Sequence, residues 1–394
     1  MTNLLDRPDA SDGNVATTRA PEDGVVDERA ARSGTRLASL VVLRGVTIVG
    51  MIIVNAQGSG DHAFWGTTHA NWNGWTPADL VFPAFLFIVG ASMAFSFARH
   101  DATSARAGTP FRLYARIARR TATLFALGLV LSGLGRVPLA ELHLMGVLQR
   151  IALCYLLAAL AVMHLKPRTQ VILCVVVLVG YWLTLTHVPV AGHGAGVLTP
   201  SGNAAGAVDR AVLGRPHLYA NGPYDPEGLL GTLPATVTVL IGFWTARWLR
   251  RQPTSATTAK RLALTGAALV AAGELSHFVL PINKRLWTSS FVLLTAGMSL
   301  VALAAVFQIV DVRGHRRVGV PFLVFGMNAI VAYGASELAQ GWLTSSGLRA
   351  AIYDHGFASW MGFRVGSLAY SLAFAALCWQ ALLVLYRRRI YLKV

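Results

Sequence analysis

The stretch Leu37-Ala38-Ser39-Leu40-Val41-Val42-Leu43-Arg44-Gly45-Val46-Thr47-Ile48-Val49-Gly50-Met51-Ile52-Ile53-Val54-Asn55-Ala56-Gln57 decides the fold class. It is about 20 residues long and apolar almost throughout, the length at which a helix rising 1.5 Å per residue crosses the hydrocarbon of a bilayer. Its one charge, Arg44, costs about 2.5 kcal/mol or more in lipid, so it must face protein or water inside a bundle. A structural arginine, or one snorkelling to the inner surface, meets that demand as well as a ligand-binding one.

Nine further segments of this kind follow, at 76–98, 115–134, 144–165, 171–190, 228–249, 262–282, 287–310, 318–342 and 365–386. The expected fold is all-α, a polytopic integral membrane protein with about ten transmembrane helices. Composition agrees: the 394 residues are 54% hydrophobic and 13% charged, too few charges to coat a soluble globule of that size. Residues 1–33, rich in Asp, Arg, Ala, Gly and Thr and without an apolar core, are expected to be a disordered cytoplasmic tail, leaving 34–394 as the membrane domain.

The 34 Lys and Arg against 18 Asp and Glu give a net charge of +16. They cluster between apolar runs, which is a topology pattern rather than a phosphate-binding stripe, so nucleic acid is not an expected partner. One set of loops carries twenty basic residues, among them Arg112, Arg116, Arg119, Arg120 and Arg387, Arg388, Arg389. The alternate set carries seven: Arg136, Arg210, Arg215, Lys284, Arg285, Arg349 and Arg364. The richer set is cytoplasmic by the positive-inside bias, which puts both termini inside and the long loops 58–75 and 191–227 outside. A bacterial inner membrane is the expected location and the lipid bilayer the first partner. Cys154, Cys174 and Cys378 lie in apolar runs without metal or disulfide spacing, and no metal is expected.

Asn55 follows Arg44 by eleven residues, three helical turns with about 20° of drift. The two share a face some 16 Å apart along the axis, as roughly 1.5 Å per residue requires. That suits a long ligand with an anionic head inside and a reactive tip outside, Arg44 pairing with phosphate and Asn55 donating to a developing oxyanion. Coenzyme A has that shape. An asparagine capping the outer helix end fits the spacing equally.

Histidine is the side chain best suited to general-base work near neutral pH, and His69 opens the outer run His69-Ala70-Asn71-Trp72-Asn73-Gly74-Trp75. Trp72 can sit in an interfacial belt or stack on a sugar. Thr76 and Asp79 around Pro77 form a helix-capping pattern, with substrate contact the sharper reading of Asp79. Arg150 and Glu274 lie at depths that agree within about 3 Å, so an intramembrane ion pair is expected. Asp225 and Glu227 open the sixth span, where they can cap it or bind a cationic or hydroxyl-bearing substrate.

Taken in order, these segments resemble the heparan-α-glucosaminide N-acetyltransferase family, its bacterial relatives included. The matching text is Ser39-Leu40-Val41-Val42-Leu43-Arg44-Gly45, Val54-Asn55, His69-Ala70-Asn71-Trp72-Asn73-Gly74, Ala78-Asp79-Leu80-Val81-Phe82-Pro83, Gly146-Val147-Leu148-Gln149-Arg150, Asp225-Pro226-Glu227-Gly228, Asn283-Lys284-Arg285-Leu286-Trp287-Thr288-Ser289, Gly326-Met327-Asn328 and Arg389-Ile390-Tyr391-Leu392-Lys393. The resemblance implies acetyl transfer from cytoplasmic acetyl-CoA to an amino or hydroxyl group of a sugar across the membrane, with His69 and Asn55 catalytic. Arg44, Arg150, Asn328 and Lys393 are then the acetyl-CoA candidates, and Trp72, Asp79, Asp225 and Glu227 the sugar candidates. A homodimer is left open.

Two departures stand out. The family pattern has an aspartate where this chain has Val41, and Arg-Ile-Pro-Gly where it has His143-Leu144-Met145-Gly146. Without a carboxylate at position 41, Arg44 is expected to lack a local partner, so restoring one should orient it toward phosphate and tighten CoA binding. The competing reading is a sugar permease without acyl chemistry, which should show internal repeats or paired broken helices.

Overall fold

The computed structural model describes residues 37–104, 110–133, 135 and 137–391. The expected tail at 1–33 and Lys393 lie outside the described residues. Among those described, every regular element is a helix, and extended pairing is limited to two isolated bridges, Gly74 with Asn283 and Val190 with Gly194.

The long helices are α1 (Ala38–Asn55), α2 (Val81–Ser104), α3 (Pro110–Leu131), α4 (Val147–His164) and α5 (Pro167–His187). After a short α6 (Ala204–Val212) come α7 (Thr232–Leu249), α8 (Ala256–Ser276), α9 (Ser289–Phe307), α10 (Arg316–Met327) and α11 (Ala329–Ser345), then a short α12 (Leu348–Tyr353) and α13 (Phe363–Arg387). Each of the ten predicted segments is occupied by helix. Among the described residues, six helices are long and apolar enough to cross a membrane, and a seventh crossing is added if α10 and α11, bent by 70° at Asn328, form one span. The chain is a helical membrane protein.

Glycine sets how closely the helices approach. Gly90 on α2 lies against the Val239 carbonyl of α7, and Gly242 on α7 against the Phe87 carbonyl of α2. Gly45 on α1 and Phe322 on α10, and Gly266 on α8 and Gly297 on α9, repeat the arrangement. A Cβ at any of these glycines would occupy the partner's backbone, so small residues hold the bundle together where lipid offers no hydrophobic drive. Along α5 the side chains of Val171, Ile172, Val175, Val176 and Val179 are exposed, an apolar face suited to lipid.

Two elements between the spans had no counterpart in the sequence reading. α6 lies within the 191–227 loop and packs Ala204 and Ala205 on Tyr181, Leu185 and Leu280. α12 brings Tyr353 over Gly58, while Ser59 N donates to Ser367 Oγ at 3.1 Å and that hydroxyl returns to Ser59 O at 3.0 Å. The loop joining Asn55 to His69 is thereby fastened to α13.

The expected Arg150–Glu274 ion pair is not formed. Glu274 is exposed and accepts from Trp75 Nε1 at 3.0 Å. Arg150, 1% exposed, donates to Gly228 O at 3.1 Å and lies with Cζ 4.9 Å from the Trp287 ring centroid. Equal depth was the wrong criterion, because α4 packs on α3 and α7 whereas α8 packs on α9.

Candidate active site

Local hydrogen bonding explains how the His69 loop is presented. Thr76 and Asp79 form a capping box around Pro77, with Thr76 N donating to Asp79 Oδ2 at 3.0 Å. Ala70 N donates to the same oxygen at 3.1 Å. The other oxygen, Asp79 Oδ1, lies 2.8 Å from His69 Nδ1. Asp79 is 0% exposed, so its carboxylate faces His69 and the backbone rather than open space. Asp79 thus holds the Nδ1 side of the partly exposed imidazole.

A distant turn supplies the next charge. Gly74, at φ +92°, donates its N–H to Ile282 O at 2.8 Å, and Asn283 Nδ2 donates to Asn73 Oδ1 at 3.1 Å. Asn283 also accepts from Leu286 N at 2.9 Å, shaping the tight turn that carries Lys284. Lys284 Nζ thus arrives 3.0 and 3.1 Å from the two ring nitrogens of His69 and 3.5 Å from Asp79 Oδ1. Burial pushes the Lys284 ammonium below the ordinary lysine range, with Asp79 and then Glu227 opposing the shift.

The Asp225–Glu227 turn is built in the same way. Asp225 Oδ2 lies 2.8 Å from His143 Nε2 and accepts from Tyr219 N at 3.0 Å, while Oδ1 accepts from Glu227 N at 2.9 Å. Asp225 is buried and fully engaged, so it shapes the turn and is not presented to a substrate. Glu227 is half-buried, and its carboxyl is pushed above the usual carboxylate range by burial, with Arg150 opposing and Asp225 adding. Of the two acids, Glu227 keeps its carboxylate available.

The remaining candidates occupy separate places. Asn55 Nδ2 donates to Glu337 Oε1 at 2.7 Å, and its side chain does not cap its own helix. The hydrogen bonds of Asn55 and of His69 run to different partners. Trp72 gives its indole N–H to Leu198 O at 2.7 Å and meets Tyr224 edge-on at 5.0 Å, so it braces the outer loop. Arg44 donates to Ser92 Oγ on α2 and to Gly326 O on α10 at 3.5 Å, which supplies the partners the sequence reading expected to be missing. Asn328, at the α10–α11 bend, donates to Ile390 O at 3.1 Å. Arg150 is enclosed beneath Gly228, beside the Asp225–Glu227 turn.

Lys284 and Glu337 are the residues that sequence reasoning passed over. Glu337 carried a usable signal, an acid inside an apolar span, whereas Lys284 was visible only as part of a motif. Among the described residues, no cluster of three or more His, Cys, Asp or Glu side chains is arranged to hold a metal ion.

A family model described as heparan-alpha-glucosaminide N-acetyltransferase, catalytic, matches residues 36–279. The chain belongs to this family. It is 31% identical over 362 residues to the Homo sapiens protein named heparan-alpha-glucosaminide N-acetyltransferase, covering 78% of this chain and 53% of that protein. The Mus musculus protein of the same name is 30% identical over 365 residues, with 79% and 54% covered. This chain therefore spans about half the length of these heparan-alpha-glucosaminide N-acetyltransferase relatives. The family match takes in Asn55, His69, Asp79, Arg150, Asp225 and Glu227 and ends before Lys284 and Glu337.

Proposed function

We propose that this member of the family is a transmembrane N-acetyltransferase that moves an acetyl group from cytoplasmic acetyl-CoA to the amino group of a sugar on the periplasmic side of a bacterial inner membrane. In this reading ten helices cross, 34–394 is one catalytic domain, and both termini are cytoplasmic. The observation that carries it is the 2.8 Å contact between His69 Nδ1 and buried Asp79 Oδ1, which holds the ring by one nitrogen and leaves Nε2 as the base.

The acceptor amine, in its uncharged form, attacks the thioester carbonyl carbon and a C–N bond forms. His69 Nε2 takes the proton released by the nitrogen, and the Asn55 amide donates to the carbonyl oxygen as it becomes negative. The C–S bond then breaks with its electron pair leaving on sulfur, and His69 returns the proton to give free CoA thiol. Glu227 holds the acceptor sugar, and Arg44 pairs with CoA phosphate at the other end of α1.

The 70° bend between α10 and α11 favours a second reading, a sugar permease, because broken helices build transporter sites. Purified protein given labelled acetyl-CoA and a panel of amino sugars separates the two. Acetylated sugar with an equal amount of free CoA supports the enzyme; sugar uptake into proteoliposomes with neither product supports the permease. Orientation is tested with Gly60→Cys, on an exposed loop, against Arg251→Cys, each in a Cys378→Ser background. An impermeant thiol reagent outside the membrane should label the first and spare the second.

A further inference from the structure

Glu337 sits inside α11, the second half of the bent pair, where an acid is costly unless it serves a partner. Its partner is Asn55, 282 residues earlier, with Nδ2 donating to Oε1 at 2.7 Å. A carboxamide is nearly symmetric in shape and can present either its oxygen or its nitrogen by a half-turn of the side chain. An ionised carboxylate only accepts, so it holds Nδ2 and repels Oδ1. One of the two amide hydrogens is then engaged with Glu337, and the other stays a donor.

We propose that Glu337 is the positioning residue for Asn55, its carboxylate fixing the amide so that one N–H is directed at the thioester oxygen. This rests on the acetyltransferase reading above. A group that acts through an oxyanion donor affects the chemical step and leaves ground-state binding largely alone.

The test measures acetyl transfer from labelled acetyl-CoA to glucosamine for the wild type, Glu337→Gln, Glu337→Leu, Asn55→Ala and the double variant Asn55→Ala/Glu337→Leu, with CoA affinity by calorimetry as the check on folding. Glu337→Leu should lower kcat by roughly 10- to 100-fold, less than the roughly 10²- to 10³-fold for outright loss of an oxyanion donor, with both KM values changed by less than about threefold. Glu337→Gln, which can also turn its own amide, should lose roughly three- to tenfold. In the Asn55→Ala background, Glu337→Leu should cost nothing further. Losses that multiply in the double variant, full kcat in Glu337→Leu, or a rise in glucosamine KM alone would each overturn the inference. If Glu337→Leu does not fold, Glu337→Gln completes the same cycle. A wild type that binds CoA but acetylates nothing overturns the acetyltransferase reading instead. The pair Asn55→Cys/Glu337→Cys then decides the geometry: a short bifunctional thiol reagent should join them, and failure to do so removes the pairing.

Discussion

Lys284 Nζ stands nearly equidistant from the two ring nitrogens of His69, at 3.0 and 3.1 Å, although the residues are 215 positions apart. That position places the ammonium against the ring itself rather than along either nitrogen's lone pair. The same ammonium lies 3.5 Å from Asp79 Oδ1, so one buried carboxylate is shared by an imidazole and a cation. In the proposed acetyl transfer, that ammonium would supply a positive charge beside the general base.

The first prediction follows from the charge of Lys284. Burial lowers its pKa below the 10.5 ordinary for lysine, so the ammonium is lost at a lower pH than on an exposed lysine. Activity that needs the cation then falls as pH rises through that lowered value. Lys284→Met should remove this alkaline limb and lower kcat about tenfold, read from kcat profiles between about pH 7 and pH 10.5. A limb that persists unchanged in the variant would assign it to another group.

Asp79→Asn keeps the shape of the carboxylate but not its charge, and an amide can turn its NH2 toward His69 Nδ1. Transfer should fall on the order of 100-fold, the lower end for loss of a correctly held general base. The capping box is weakened as well, by about 1 kcal/mol, which a modest drop in thermal midpoint should show. If stability falls while the rate holds, Asp79 serves the helix and not the histidine.

The fold was legible because a bilayer imposes a length and a composition on each crossing, and all ten predicted segments are helical. The bend at Asn328 was not, since Gly326-Met327-Asn328 interrupts neither the apolar run nor its length. Within the candidate site, residue type and motif nominated His69 and Asn55. Their partners Asp79, Lys284 and Glu337 were missed or misread for different reasons. Asp79 was visible as a cap, and the same cap geometry turns it toward His69. Lys284, on a turn, and Glu337, on α11, arrive from across hundreds of residues, and no helical period encodes such contacts.

Asp209 gives a stability test. It is 1% exposed and accepts from Leu229 N at 2.8 Å. Burial raises its carboxyl from 3.8 to about 6, with the Leu229 N–H opposing and Asp225 adding. Between those values the folded chain holds a proton that the unfolded chain has released, so the contribution is present below about 3.8 and is lost as pH rises through about 6. Asp209→Asn retains an oxygen for Leu229 N–H and removes the dependence. Its thermal midpoint in detergent should rise relative to the wild type as pH goes from about 4 to about 7. A constant gap would mean that Asp209 releases its proton alike in both states.

Position 41 reverses the outcome that the sequence suggested. Val41 is 9% exposed, and its backbone carbonyl lies against Gly326 of α10. Arg44, one turn further along α1, already donates to Ser92 Oγ and to Gly326 O, so the missing aspartate has not left it without partners. A carboxylate introduced by Val41→Asp would be buried and would need a cation, and Arg44 is the one a single turn away. The guanidinium would be drawn back along α1, away from Ser92 and from any phosphate it holds. CoA affinity should therefore fall by roughly three- to tenfold, the effect of weakening one hydrogen bond by about 1 kcal/mol, rather than rise. Calorimetric titration of CoA into both proteins checks this. Tighter binding would mean that the carboxylate orients Arg44 toward the ligand after all, and equal affinities would place the CoA phosphates on the other basic residues of the cytoplasmic loops.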